Sequence, residues 1–203
     1  MRRSLQLLMF SLIFFTPGVS NRARAQAVTV PESSKVDIFS GYSYLHATTV
    51  ISGAPINLHG ASFSAAFYVN RWLGLVGDTG VYHAGNIAQE FDVTLWSYQF
   101  GPRVRLPNHT RFTPYAHFLP GGGHAGGTIY TSSLGPGLAP IGTNNSFLLT
   151  VGGGLDCRLN HRIGIRIVQA EYLYSEFLNG SAVGHKQNNL RLSTGVVFNF
   201  GKT

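Results

Sequence analysis

Eight histidines, at positions 46, 59, 83, 109, 117, 124, 161 and 185, and the single cysteine Cys157 are the side chains best suited to hold a transition metal. Zinc sites assemble from ligand pairs only a few residues apart. No two of these histidines stand at such a spacing, and none joins Cys157 in a cluster, so no metal site is expected. A hydrolytic serine needs a histidine to take its proton and a carboxylate to orient that histidine. His59 and Ser62 stand three positions apart, which on a strand turns them to opposite faces. Gly121-Gly-Gly-His-Ala-Gly126 fits the G-x-G-x-x-G string, but a dinucleotide fingerprint must open a helix, and here more strand and loop follow. With Pro120, these glycines suit a strand that bends or accepts close packing. No catalytic residue and no cofactor is expected.

What remains is a set of charged and amide side chains: Asp78, Gln99, Arg103, Asp156, Arg158, Arg166, Glu171 and Arg191. They lie on strands that alternate between polar and apolar faces. Period-two patterning bounded by Gly, Pro, Asn and Ser predicts eight strands: Val36 to Ala47, Leu58 to Asn70, Trp72 to His83, Glu90 to Leu106, Phe112 to Tyr130, Ser146 to Asn160, Ile163 to Leu178 and Asn188 to Phe200. In the sixth, Phe147, Leu149, Val151, Leu155, Cys157 and Leu159 share one face, opposite Thr150, Asp156, Arg158 and Asn160. In the fourth, Trp96, Tyr98, Phe100 and Val104 alternate with Ser97, Gln99, Arg103 and Arg105. The seventh breaks the rule, because Arg166 has even parity whereas Gln169 and Glu171 have odd parity. A β-bulge near Ile167-Val168 would return all three to one face.

The setting of these strands follows from composition. Met1-Arg2-Arg3, the apolar run Leu5 to Phe15, the break at Pro17-Gly18 and the tail Ala25-Gln26-Ala27 have the layout of a signal peptide over residues 1–27. The apolar run is shorter than the ~20 residues a spanning helix needs. Arg2, Arg3, Arg22 and Arg24 belong to this leader, so of the formal +7 only +3 stays with residues 28–203. The remaining cations are scattered along the chain, which argues against a nucleic-acid partner. Charged residues make up 11% of the chain and aromatics 12%, well under the charge of a water-soluble surface. A chain this apolar without a spanning helix points to a closed barrel, since lipid leaves no backbone group unpaired. Connections also alternate in length: Asn70-Arg71, Pro107 to Arg111 and Asn160 to Arg162 are short, whereas Thr48 to Asn57, Thr131 to Asn145 and Asn179 to Gln187 are long. Short periplasmic turns and long outer loops are the outer-membrane pattern.

The chain resembles the OmpA-like outer-membrane β-barrel family over Val36 to Gly201. The resemblance is carried by Phe39-Ser-Gly-Tyr-Ser-Tyr-Leu45, Asn70-Arg-Trp-Leu-Gly-Leu75, Thr113-Pro-Tyr-Ala-His117, Arg166-Ile-Val-Gln-Ala-Glu-Tyr-Leu-Tyr174 and Gly195-Val-Val-Phe-Asn-Phe200. It implies an all-β, eight-stranded, antiparallel up-and-down transmembrane barrel. The implied partners are outer-membrane lipid and lipopolysaccharide, the barrel-assembly machinery, and an extracellular ligand met by the loops, with the barrel a monomer. With the apolar face outward, the eight polar residues named above point into a lumen that side chains are just able to fill. They are expected to pair there as a plug, because an uncompensated buried charge costs several kcal/mol. The expected role is structural or in surface contact, with the Thr131 to Asn145 loop as the contact.

Three alternatives use the same pattern. A lipid-modifying enzyme can occupy such a scaffold, but the close His-x-Ser arrangement expected of lipid A deacylases is absent. A narrow pore is the second. A secreted soluble barrel would turn the alternation inside out and bind an apolar ligand, and periodicity alone does not say which face is outward.

Overall fold

The computed structural model describes residues 34–48, 55–87, 91–107, 109–131, 137–177 and 185–201. Eight strands follow one another: β1 (Val36–Thr48), β2 (Pro55–Tyr68), β3 (Leu73–Ile87), β4 (Phe91–Arg105), β5 (Phe112–Thr131), β6 (Gly137–Arg158), β7 (Ile163–Phe177) and β8 (His185–Phe200). Each pairs antiparallel with its neighbour, and β1 closes on β8, from Val36 opposite Phe200 to His46 opposite Leu190. The expected leader, 1–27, lies outside the described residues, as do 49–54, 88–90 and 178–184 of the connections.

The short turns are tied by side chains. Asn70 Oδ1 accepts from the backbone N–H of Trp72 (2.9 Å) and Leu73 (2.8 Å). Asn160 Oδ1 does the same for Arg162 (2.9 Å) and Ile163 (2.8 Å). Each asparagine thereby satisfies two turn amides that no ladder partner reaches.

The largest difference from the expected boundaries is in β6, which begins at Gly137 rather than Ser146. Much of the Thr131 to Asn145 segment, expected as a loop, is therefore hairpin: Thr131 pairs with Gly137, Tyr130 with Leu138 and Gly127 with Ile141. Its Gly-, Pro- and Asn-rich composition reads as loop, yet ladder bonds come from the backbone and form wherever the partner strand continues. The bulge in β7 is present where parity demands it. Leu155 pairs with Val168 and Asp156 with Arg166, so Ile167 is the extra residue, and the β8 register shifts between Arg166 and Gln169. Ile167 and Val168 both face out, while Arg166, Gln169 and Glu171 are all buried. Deleting Ile167 joins two segments already in phase, so the variant is expected to fold to a heat-modifiable barrel like the parent. A gel comparing boiled and unboiled samples checks this, and loss of the folded band would contradict it.

Closure decides which face meets the surroundings. Phe63, Phe67, Trp96, Tyr98, Phe100, Phe118 and Val151 are exposed, whereas Ser62, Ser64, Ser97, Gln99 and Thr150 are buried. The inside-out alternative with phenylalanines lining a cavity does not hold. Toward the long-loop end, however, the polarity reverses. Leu45, Leu58, Tyr82, Leu95, Leu148 and Leu173 form a buried apolar layer inside the barrel. Outside at that height stand His46, Asn57, His59, His83, Thr94, His124 and Asn145. They are cross-linked along the outer surface: Tyr42 OH with His59 Nδ1 (2.5 Å), His46 Nδ1 with Asn57 Oδ1 (2.7 Å), His83 Nδ1 with Thr94 Oγ1 (3.0 Å) and His124 Nδ1 with Asn145 Oδ1 (2.7 Å). A wall facing hydrocarbon must be apolar outside, whereas a wall facing headgroups and water carries polar groups outside and can bury its apolar ones. The reversal marks the upper edge of the membrane belt.

Candidate functional site: the barrel interior

The inward faces of β3, β4, β5, β7 and β8 bring together the central cluster. Arg191, fully buried, donates from Nη1 to Asp78 Oδ1 (2.8 Å) and to Tyr82 OH (2.9 Å), and from Nε and Nη2 to both oxygens of Glu171 (2.5 and 2.7 Å). His117 Nε2 bonds Glu171 Oε1 (2.7 Å), and Arg103 Nη2 reaches His117 Nδ1 (3.2 Å). Two carboxylates, Asp78 through one oxygen and Glu171 through both, thus flank one guanidinium that has all its nitrogens engaged, and the two-oxygen pairing with Glu171 is the stronger arrangement for a buried charge. Tyr82 reaches Arg191 by lying back over Gly80, where a Cβ would overlap its ring. The glycine provides the space for that close approach.

A second cluster lies nearer the short turns. Arg166 donates to Asp156 through Nε (2.8 Å) and Nη2 (3.1 Å) and to Gln169 Oε1 through Nη1 (2.6 Å). Tyr115 OH donates to the same Gln169 oxygen (2.5 Å). The Arg166 guanidinium lies over the rings of Phe39 (4.1 Å to the centroid) and Tyr115 (4.6 Å), adding cation–π attraction to each. At the mouth, Arg105 lies 3.4 Å from the Tyr68 ring centroid, pairs with Asp37 Oδ2 at 3.4 Å and donates to the Ser34 carbonyl at 2.7 Å. Ser34 Oγ donates to the other Asp37 oxygen.

Of the eight residues expected in the lumen, Asp78, Glu171 and Arg191 meet in one cluster, to which Arg103 is joined through His117, and Asp156 and Arg166 meet in another. Gln99 stands apart from the ion pairs, donating to Thr150 Oγ1 (2.7 Å) and the Leu119 carbonyl (3.1 Å). Arg158 is half-buried beside a cavity of about 1090 Å³ at the short-turn end. Sequence reasoning left out Asp37, Tyr82, Arg105, Tyr115 and His117 from this set. Parity alone could have added Arg105, which shares a face with Arg103, and Tyr82, which shares one with Asp78.

Among the described residues no three His, Cys, Asp or Glu side chains gather where they could hold a metal ion. His59 and His83, unrelated by spacing in the sequence, are direct partners across β2 and β3.

No family model and no curated protein matches the sequence. Solved structures do match the fold. Ail, the attachment invasion locus protein of Yersinia pestis, superposes with a TM-score of 0.58 at 19% identity, covering 82% of this chain and 99% of its own. Neisserial surface protein A gives a TM-score of 0.56 at 16% identity, covering 82% of this chain and 98% of its own. Ail in complex with the heparin analogue sucrose octasulfate gives 0.55 at 19% identity, covering 82% and 99%. At these identities the likeness is one of fold, and it agrees with the apolar outer belt in its meaning: the chain is an integral outer-membrane protein with the fold of the OmpA-like eight-stranded β-barrels.

Proposed function

We propose that this protein is a non-catalytic outer-membrane barrel whose lumen is closed and whose work is done at its outer surface. The observation that carries the reading is the stacking of two layers inside one barrel. The Arg191–Asp78–Glu171–His117 cluster fills the middle, and the Leu45, Leu58, Leu95, Leu148 and Leu173 layer caps it toward the loops. Ions crossing such an interior would have to break paired charges and then cross an apolar constriction, two barriers in series. The hairpins above the membrane are then the parts left to meet a partner; Ail, which shares the fold, is by name an attachment invasion locus protein and is also solved in complex with the heparin analogue sucrose octasulfate. Export through a cleaved leader over 1–27, insertion by the barrel-assembly machinery and a monomeric state belong to the same proposal.

The purified protein in planar bilayers is expected to show no large, stable single-channel conductance. A steady open level would overturn the closed-lumen reading in favour of a narrow pore. Replacing 132–136 and the adjoining hairpin tips with a short turn is expected to abolish binding to host-surface glycans and cells while leaving the folded barrel intact. Unchanged binding would remove the surface-contact role.

A further inference from the structure

The scattered cations of the sequence are not scattered in the fold. Each of the three short turns carries an exposed arginine followed at once by a large exposed apolar residue: Arg71-Trp72, Arg111-Phe112 and Arg162-Ile163. Lys35 stands exposed on the same rim, with His109 and His161 beside it. Among the described residues, the acidic groups nearest this end, Asp37 and Asp156, are turned inward onto Arg105 and Arg166. The rim is therefore a ring of cations with no exposed carboxylate among the described residues, at the end that faces the periplasm in barrels with this turn pattern.

The turns hold these pairs in place. Asn70 and Asn160 cap the amides of Trp72 and of Arg162 and Ile163, and Thr110 Oγ1 accepts from the Phe112 amide (3.2 Å). The backbone of each turn is thus held, with an exposed arginine next in the chain to an exposed apolar residue at the edge of the apolar belt, the level where acyl chains give way to phosphates. A planar guanidinium engages a phosphate through two parallel hydrogen bonds. From this we infer that the rim is a binding ring for anionic phospholipid headgroups of the periplasmic leaflet, with one phosphate at each Arg–apolar pair. The adjoining apolar side chain favours a lipid over a polyanion free in the periplasm, since it would otherwise gain nothing from the contact. This goes beyond the closed-lumen reading and does not depend on it.

The test uses the full barrel in mixed micelles holding equal amounts of phosphatidylglycerol and phosphatidylcholine, with retained lipids counted by native mass spectrometry. The parent is expected to keep phosphatidylglycerol preferentially, by about five-fold for each arginine engaged, and to lose the preference in high salt. The triple variant Arg71→Ser, Arg111→Ser, Arg162→Ser is expected to fold, as a heat-modifiability gel will show, and to retain the two lipids equally. The corresponding triple lysine variant keeps charge without the fork and is expected to fall between. Equal retention by the parent, or an undiminished preference in the serine variant, would overturn the inference. So would co-sedimentation of the parent with purified cell-wall sacculi that the serine variant loses while its lipid preference stays unchanged, which would assign the ring to the cell wall.

Discussion

Replacing Arg191 with methionine will lower the unfolding free energy of the barrel by about 3–5 kcal/mol, the range for breaking a buried ion pair by removing one partner. The effect is large because one guanidinium serves two carboxylates. Asp78 Oδ1 and Glu171 Oε2 lose their donor, and Glu171 Oε1 is left with His117 alone. Methionine fills the stem volume, so the loss is electrostatic rather than a cavity. Urea titration of barrels refolded in lipid vesicles, followed by tryptophan fluorescence and by gel mobility, measures it. Replacing Asp78, Glu171 and Arg191 together by apolar residues of similar volume should recover most of the loss, since no uncompensated charge then remains. If the single variant were as stable as the parent, the cluster would be wetter than its burial implies, and the closed-lumen reading would fall with it.

A second large effect is expected on the outer wall. Phe100, exposed and five residues above the short-turn end of β4, lies near the middle of the belt. Arginine there should cost about 2–4 kcal/mol, whereas near an interface the same charge costs about 0–1 kcal/mol. Asn145→Arg, above the level at which outward residues become polar, supplies the interface case. The pair of measurements locates the membrane edge on the molecule. Equal costs at the two positions would mean that the polarity reversal does not mark that edge.

Much of the architecture was legible in the sequence because strand alternation is local. Parity along Leu155 to Leu159 or Trp96 to Arg105 requires only neighbouring residues, and the parity conflict among Arg166, Gln169 and Glu171 pointed to a bulge near Ile167-Val168, which the register puts at Ile167. Turn chemistry is local too, which is why Asn70 and Asn160 announced their turns. Composition misled where backbone pairing overrode it. The stretch 137–145 is rich in Gly, Pro and Asn, yet it continues β6 because β5 continues beside it.

What only the tertiary structure decided depends on closure and register. Periodicity separates two faces but does not name the outer one; closing β1 on β8 turned Phe63 and Phe100 outward and Ser64 and Gln99 inward. Arg191 and Asp78 are 113 positions apart and meet across the lumen, and His117 joins them from β5, so no spacing rule could have matched these partners. The same holds for Arg71, Arg111 and Arg162. As a sequence they are isolated cations that argue against a polyanionic partner. As a barrel they are one ring, because three hairpins of an up-and-down sheet must turn at the same edge.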